Sequence, residues 1–529
     1  MTKYKIIVCD HIHTAGLDFL KKQNDIELLD YSNLPKDKLL TKLKDADVAI
    51  TRSSTEVGEK FLQSVTNLKA IVRAGVGVDN VDIDTCSKKG IIVMNVPTAN
   101  TIAATELTMA HIINAVRNFP GADRQLKDNR IWKREDWYGT ELKDKTLGVI
   151  GFGNIGSRVA ARAKAFEMNV IAYDPYLKES TMIDAGVKCA KHLDDILKCD
   201  IITIHTPKNS ETKNMISKNE IAKMKDGVIL INCARGGLYN EADILEAAKS
   251  GKIRWIGVDV FEKEPAINNP LLDLTNIYVT PHIGANTLES QEKISIQAAT
   301  TAIESARGSS YPNALNLPIK ENEIPYFVKP YLELSQKLAF FISQITKGVI
   351  RTLNITCSGK LTPYIESLGT FATLGMLKHS LGDKINYVNS LFVAKDRGIN
   401  INMETKDSLS SVYKNLITIE VITTEGNISI SGCVFDDDKL RIIDINGFCV
   451  DIEPSGKMIL FKNTDVPGVI GNIGTIMEKH NINIADFRLG RNNKGEALAT
   501  IIVDSDVGED ILEELKKIKA CINVTYAII

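Results

Sequence analysis

The apolar positions of the first 300 residues gather into short runs. Four of them, KIIVCD (5–10), DVAITR (47–52), LKAIVRAG (68–75) and IIVMNVP (91–97), are dense in Val, Ile, Leu and Ala and end on a polar residue, Gly or Pro. Strands buried on both faces read this way, because no position in them meets water. LDFLKKQ (17–23), after the first run, has helical spacing instead. Strands alternating with helices predict a parallel, doubly wound sheet. A second series follows: LGVIGF (147–152), NVIAYD (169–174), DIITIHTP (200–207), VILINCA (228–234) and WIGVDV (255–260). Between the two series, residues 101–129 predict one long helix, whose apolar spacing holds until Pro120 interrupts it.

Beyond this the pattern changes. Residues 287–308 predict a long amphipathic helix stopped by Gly308, and SSYPNALNLP (309–318) reads as a linker. Residues 325–453 carry strand-like runs at 349–359, 416–435 and 440–447, which predict an α+β domain without a recognisable catalytic set. The tail alternates a strand (458–463), a helix (467–480), two strands around the turn NNKG (492–495), a helix (509–518) and a last strand (521–529). That is βαββαβ, the ferredoxin-like order.

Composition narrows the function classes. The 529 residues are enough for three to four domains at about 150 each. Lys plus Arg is 64 and Asp plus Glu is 66, a formal charge of −2, so nothing favours nucleic acid or an anionic membrane as partner. No run approaches the roughly 18 to 20 apolar residues of a membrane span, and the N-terminus lacks the features of a secretory signal. The nine cysteines include no CxxC pair and read as reduced thiols, so the expected location is the cytoplasm. Cys189-x-x-His192 with Cys199 is the nearest approach to a metal cluster; it lies in a helix-like stretch, lacks a fourth ligand and reads as packing, so no metal is expected.

Gly151-Phe152-Gly153-Asn154-Ile155-Gly156 follows a predicted strand and opens a helix, and Asp174 lies 18 residues past Gly156 at the end of the next strand. This context makes GxGxxG a dinucleotide fingerprint: glycines for the turn and for close approach to a pyrophosphate, amide donors at the helix start, and a carboxylate for the ribose hydroxyls. Asp174 would repel the extra phosphate of NADP and no Arg follows it, so the expected cofactor is NAD. Ser157-Arg158 excludes a P-loop.

Arg235, Glu264 and His282 each stand at or just past the end of a strand, the edge where open α/β sheets bind ligands. Arg235 can hold a substrate carboxylate and polarise the oxygen at C2. His282 can exchange a proton with that oxygen while a hydride moves at carbon. Glu264 can orient the imidazole and raise its pKa. Singly they also fit a salt bridge, a turn and a structural His; their order behind a nucleotide fingerprint joins them into one site.

The order GFGNIG, INCARGG, GVDVFEKEP and TPHIGANT, with RAGVGVDNVD (73–82) and NVPTANTIAATEL (95–107) ahead of it, resembles the D-isomer-specific 2-hydroxyacid dehydrogenases. DVPGVIGNIG (465–474) and INIADF (482–487) resemble an ACT regulatory domain, and YVNSLFVAKDRGI (387–399) resembles the intervening, allosteric substrate-binding domain of the family's long members. The resemblance spans essentially the whole chain. It implies a Rossmann-type nucleotide domain inserted in a flavodoxin-like substrate domain, then an α+β intervening domain and a ferredoxin-like ACT domain. The expected limits are 1–98 with 286–308, 99–285, 309–453 and 454–529.

The resemblance implies Arg235, Glu264 and His282 as the catalytic set. For the cofactor it adds Thr206, Pro207, Cys233, Ala234 and Gly284, and puts Asp259 near the nicotinamide amide. It puts the backbone of Val76 and Gly77 at the substrate carboxylate and Arg52 at a substrate phosphate, with Trp132 and Arg134 reaching into a neighbouring subunit. The activity it implies is NAD-dependent oxidation of D-3-phosphoglycerate at the start of serine synthesis, in a homo-oligomer, dimer or tetramer. L-serine is the implied effector, at Asn463, Asp465 and Asn483. Two alternatives stay open: another D-2-hydroxy acid as substrate, which would use the same three residues, and an NAD-sensing non-catalytic regulator, against which the near-zero charge and the ACT-like tail argue.

Overall fold

The computed structural model of the chain describes residues 3–318, 324–406, 413–436 and 438–529. Their strands form four sheets. The first is entirely parallel, with β1 (Tyr4–Val8), β2 (Ile26–Asp30), β3 (Val48–Thr51), β4 (Ala70–Arg73) and β5 (Ile92–Asn95) in the order β2-β1-β3-β4-β5. This is the flavodoxin-like order. Strand β2 lies at the edge with only Ile26 buried, so it has no counterpart among the continuous apolar runs.

The second sheet holds β6 (Thr146–Ile150), β7 (Asn169–Tyr173), β8 (Lys188–Cys189), β9 (Ile201–Ile204), β10 (Val228–Asn232), β11 (Ile253–Val258) and β12 (Ile277–Val279). All are parallel, in the order β12-β11-β10-β9-β6-β7-β8. The order reverses direction between β6 and β9, the switch point at which a doubly wound sheet binds a dinucleotide. Cys189 is corrected here: it ends strand β8, not a helix, and Asp195 accepts from the His192 amide at 3.2 Å at the start of a single turn, Leu193–Ile196. Among the described residues no three His, Cys, Asp or Glu are grouped to hold a metal.

Two helices carry the chain between these sheets. The expected single helix 101–129 is two, Thr101–Arg117 and Phe119–Asn129, separated by Asn118 at φ 45° and ψ 41°. Proline lacks an amide hydrogen and clashes with the preceding turn, so Pro120 is accommodated in the first turn of a new helix and the break falls ahead of it. The return helix, Leu288–Arg307, starts on a Thr287 side-chain cap and stops at left-handed Gly308. It presses Ile294, Ala298, Ala299, Ala302 and Ile303 into one core with Ile6, Ile50 and Val72 of the first sheet. Its small side chains let the helix lie close to the strands. The nucleotide sheet is thereby an insertion within the first α/β layer.

The third sheet contains β13 (Ile350–Ser358), β14 (Asn400–Lys406), β15 (Leu416–Thr423), β16 (Gly426–Phe435), β17 (Lys439–Ile445) and β18 (Phe448–Ile452). Only the β13–β14 pair is parallel, and helices Lys329–Ile345 and Ile365–Leu381 share its core. The fourth sheet, β19 (Lys457–Thr464), β20 (Ile484–Arg491), β21 (Glu496–Val503) and β22 (Cys521–Ile528), is antiparallel in the order β20-β21-β19-β22. With helices Val469–Lys479 and Glu509–Lys516 it completes βαββαβ. Among the described residues no helix is long and apolar enough to cross a membrane.

Candidate active site

The Gly-rich turn leaves β6 at its carboxyl end. Gly151 has φ 87°, and a Cβ there would stand 2.7 Å from the His205 carbonyl oxygen. A Cβ on Gly156 would stand 2.0 Å from the Gly151 carbonyl oxygen, so these two glycines let strand, turn and helix pack. Gly153 is different: nothing lies within 4 Å of where its Cβ would be. The backbone there faces open space ahead of the helix Gly156–Ala165, a cradle shaped for a phosphate group. Asn154 and Ile155 complete the turn. Asp174, just past β7, accepts from the Phe152 amide at 2.9 Å and the Tyr176 amide at 3.0 Å, which holds its carboxylate against the same turn. Thr206, before Pro207, has a buried hydroxyl oxygen without a hydrogen-bond partner. The open cradle, the anchored carboxylate and the orphan hydroxyl together fit a dinucleotide.

Beyond β10, the Asn232 amide donates to the Arg235 carbonyl at 2.8 Å and accepts from the Ala234 amide at 3.0 Å. This tight turn, above the buried Cys233, aims the Arg235 guanidinium across to the first sheet. There its Nε lies 3.3 Å from Asp79, and a Cβ on Gly77 would stand 2.3 Å from its Nη2. The Val76 carbonyl is held by Asn95 at 2.7 Å. The Val76–Gly77 backbone and Arg235 are therefore brought together from the two sheets.

His282 is about half exposed, with Nδ1 2.8 Å from Glu264 Oε2. Glu264 Oε1 accepts from the Phe261 amide at 3.0 Å. Burial alone would raise the Glu264 carboxyl; hydrogen bonds from His282 and Phe261, with the charges of His282 and Arg235, outweigh it and hold the group below its ordinary value. Among the described residues no protein group bonds His282 Nε2. Asp259, expected at the nicotinamide amide, is fully buried and accepts from the Thr280 hydroxyl at 2.6 Å and from the Ile283 and Gly284 amides at 2.8 Å each.

Arg52 follows β3; its amide donates to Asp10 at 2.5 Å and its Nη1 to the His11 carbonyl at 3.0 Å. Two neighbours escaped the sequence reading. Arg73 ends β4, and burial, then the charges of Arg235 and Arg52, push its guanidinium down to about 10. Its Nε is buried without a partner. Asp79 supplies the carboxylate opposite Arg235. The criterion that selected Arg235, a charged residue at the carboxyl end of a buried strand, selects Arg73 equally well.

Other expected site residues lie elsewhere. Trp132, 79% exposed, and Arg134 sit on the surface after helix Phe119–Asn129; among the described residues neither side chain bonds the cluster. In the fourth sheet Asn463 is buried and spends its amide on the Ala497 and Phe461 carbonyls, Asp465 pairs with Arg491 at 3.0 Å, and Asn483 donates to Asp504 at 2.7 Å.

Comparison with known proteins finds three family matches along the chain. Residues 109–284 match the D-isomer specific 2-hydroxyacid dehydrogenase NAD binding domain, 327–446 the D-3-phosphoglycerate dehydrogenase intervening domain, and 457–520 the ACT domain. The D-3-phosphoglycerate dehydrogenase of Archaeoglobus fulgidus is 38% identical over 527 residues, 99% of each chain. That of Bacillus subtilis is 36% identical, covering 98% of this chain and 99% of its own. Among solved structures, D-lactate dehydrogenase from Aquifex aeolicus, complexed with NAD and lactic acid, superposes with a TM-score of 0.53 at 29% identity. The match covers 59% of this chain and 98% of that one.

Proposed function

From a chain that belongs to the D-3-phosphoglycerate dehydrogenases, within the D-isomer-specific 2-hydroxyacid dehydrogenases, we propose NAD-dependent oxidation of D-3-phosphoglycerate to 3-phosphohydroxypyruvate. The observation that carries this reading is the clustering of Arg52, Arg73 and Arg235, with the charge of Arg235 also acting on Glu264 of the His282–Glu264 pair. Three clustered guanidinium groups, one with an unpartnered Nε, suit a substrate with a carboxylate at one end and a phosphate at the other.

In this mechanism Arg235 and the Val76–Gly77 backbone hold the carboxylate, and Arg52 and Arg73 hold the phosphate. His282 Nε2 takes the C2 hydroxyl proton while Glu264 steadies Nδ1–H and the imidazolium that forms. NAD, held by the Gly151–Gly156 turn and Asp174, supplies the hydride acceptor. The limits 1–98 with 286–308, 99–285, 309–453 and 454–529 divide the chain into substrate, nucleotide, intervening and ACT units.

The exposed Phe119, Leu126, Ile131, Trp132 and Tyr138 cluster along one segment and support a homo-oligomer in which Trp132 and Arg134 serve a neighbour's site. The match to the ACT domain supports an amino-acid effector, for which we name L-serine, bound around Asn463, Asp465 and Asn483.

The test is NADH formation at 340 nm from D-3-phosphoglycerate, with and without L-serine. Turnover with NAD, far less with NADP, and suppression by serine are expected. Arg235→Ala and His282→Ala should each lower kcat/KM by about 100-fold or more. Near-normal activity in either overturns the mechanism. Arg52→Ala should raise KM for phosphoglycerate; an unchanged KM would move the assignment to an unphosphorylated 2-hydroxy acid.

A further inference from the structure

His111 lies on helix Thr101–Arg117, 2% exposed and far in sequence from Arg235, Glu264 and His282. Its imidazole packs against β11 at Gly257, where a Cβ would stand 2.9 Å from Nδ1. Its Nε2 lies 3.1 Å from the Thr280 hydroxyl. That hydroxyl is 2.6 Å from Asp259 Oδ1. An ionised carboxylate only accepts, so Thr280 donates its single proton to Asp259 and must accept from His111. This fixes His111 as the neutral Nε2–H tautomer, with Nδ1 buried and unpartnered. Burial, which pushes this imidazole down to about 4, keeps it neutral at working pH.

The other end of the chain of bonds is the catalytic turn. Asp259 accepts from the Ile283 and Gly284 amides, and its carbonyl from the His282 amide at 2.8 Å. His282 has φ 53°, a left-handed conformation that a non-glycine residue keeps only where its surroundings over-determine it. We propose that His111 is a positioning residue for the oxidation assigned above: through Thr280 and Asp259 it braces the strained turn that presents His282. The helix that joins the two α/β layers thereby helps set the geometry of the catalytic base. This inference rests on the proposed function for its kinetic readout.

The experiment combines His111→Leu, His111→Gln, Thr280→Val and the double variant His111→Leu/Thr280→Val. Loss of one neutral hydrogen bond in the brace should lower kcat about tenfold, while KM for NAD and for substrate stays within about twofold. His111→Gln, which can present an N–H to Thr280, should recover most of the rate. In the Thr280→Val background, His111→Leu should cost nothing further. Unchanged kcat in His111→Leu, or single losses that multiply in the double variant, overturns the proposal.

If His111→Leu does not fold, His111→Asn, whose shorter amide falls short of Thr280, takes its place. Lower kcat in His111→Asn than in His111→Gln supports the brace, and equal kcat in both overturns it. Nitrogen NMR of 15N-histidine-labelled protein at pH 6 gives a readout independent of turnover. The neutral Nε2–H pattern is expected for His111, and an Nδ1–H or charged ring refutes the brace. A wild-type chain inert on D-3-phosphoglycerate but active on another 2-hydroxy acid would sink the functional reading alone, and the rate ratios would then be measured on that substrate.

Discussion

At Gly77 a single hydrogen stands where a methyl group would collide with the Arg235 guanidinium at 2.3 Å. Gly77→Ala should therefore displace the arginine, leave the melting temperature almost unchanged, and lower kcat/KM at least about tenfold in steady-state assays. Glu264 makes the second residue-scale prediction. Against burial, hydrogen bonds from His282 and Phe261 and the charges of His282 and Arg235 hold its carboxyl below its ordinary value, so it faces Nδ1 as an anion through the neutral range. Glu264→Gln removes that anion while keeping the size of the side chain, and kcat should fall about tenfold or more with KM for NAD unchanged. An unchanged kcat would refute the pairing.

At the scale of the element, the glycines of the turn after β6 divide between packing, at Gly151 and Gly156, and open space, at Gly153. Gly156→Ala drives a Cβ to 2.0 Å from backbone, which cannot yield as a side chain does. It should lower stability by about 1–3 kcal/mol and reduce the melting temperature. Gly153→Ala meets no protein atom, so the melting temperature should hold while NAD titration shows about tenfold or more weaker binding. Equal thermal losses in the two variants would deny Gly153 its place against the cofactor. The helix that precedes this sheet shows what periodicity does not resolve. Apolar spacing runs to Pro120, but the break falls at Asn118, because an asparagine tolerates the left-handed conformation that re-aims the chain.

For the whole molecule, the buried His111 and the half-buried His205 link folding to pH. Burial pushes His111 down to about 4 and His205 down to about 3. Between about pH 6.5 and these values the unfolded chain binds protons that the folded chain refuses, so stability rises with pH across that window. For His111 the loss on going from pH 7 to 5 is about 2 kcal/mol. The melting temperature should fall over this interval, and less so in His111→Leu; identical slopes would show that the imidazole does not titrate in the unfolded state alone. At the same scale, the linker residue Asn316 accepts from the Val93 amide at 2.9 Å, and Asn386 of the third unit donates to the Gly90 carbonyl at 2.8 Å. The third unit is thus tied to the layer that carries Arg52, Arg73 and Gly77.

Local chemistry along the chain determined most of the parallel strands, the βαββαβ tail, the glycine turn after β6 and the position of Arg235, Glu264 and His282 past strand ends. Each of these depends on residues a few positions apart: an apolar run, a glycine spacing, or a charged side chain at a strand end. Edge strands β2 and β8 were not legible, because half-exposed or two-residue strands leave no continuous apolar signal. Only the tertiary structure decided that Arg73 and Asp79 join Arg235, that the Asp259 carboxylate is taken up inside the protein, and that His111 reaches Thr280 across 169 residues. Such contacts join segments that meet only when two sheets close on each other, and a buried polar atom finds its partner by position in space, which sequence spacing does not encode.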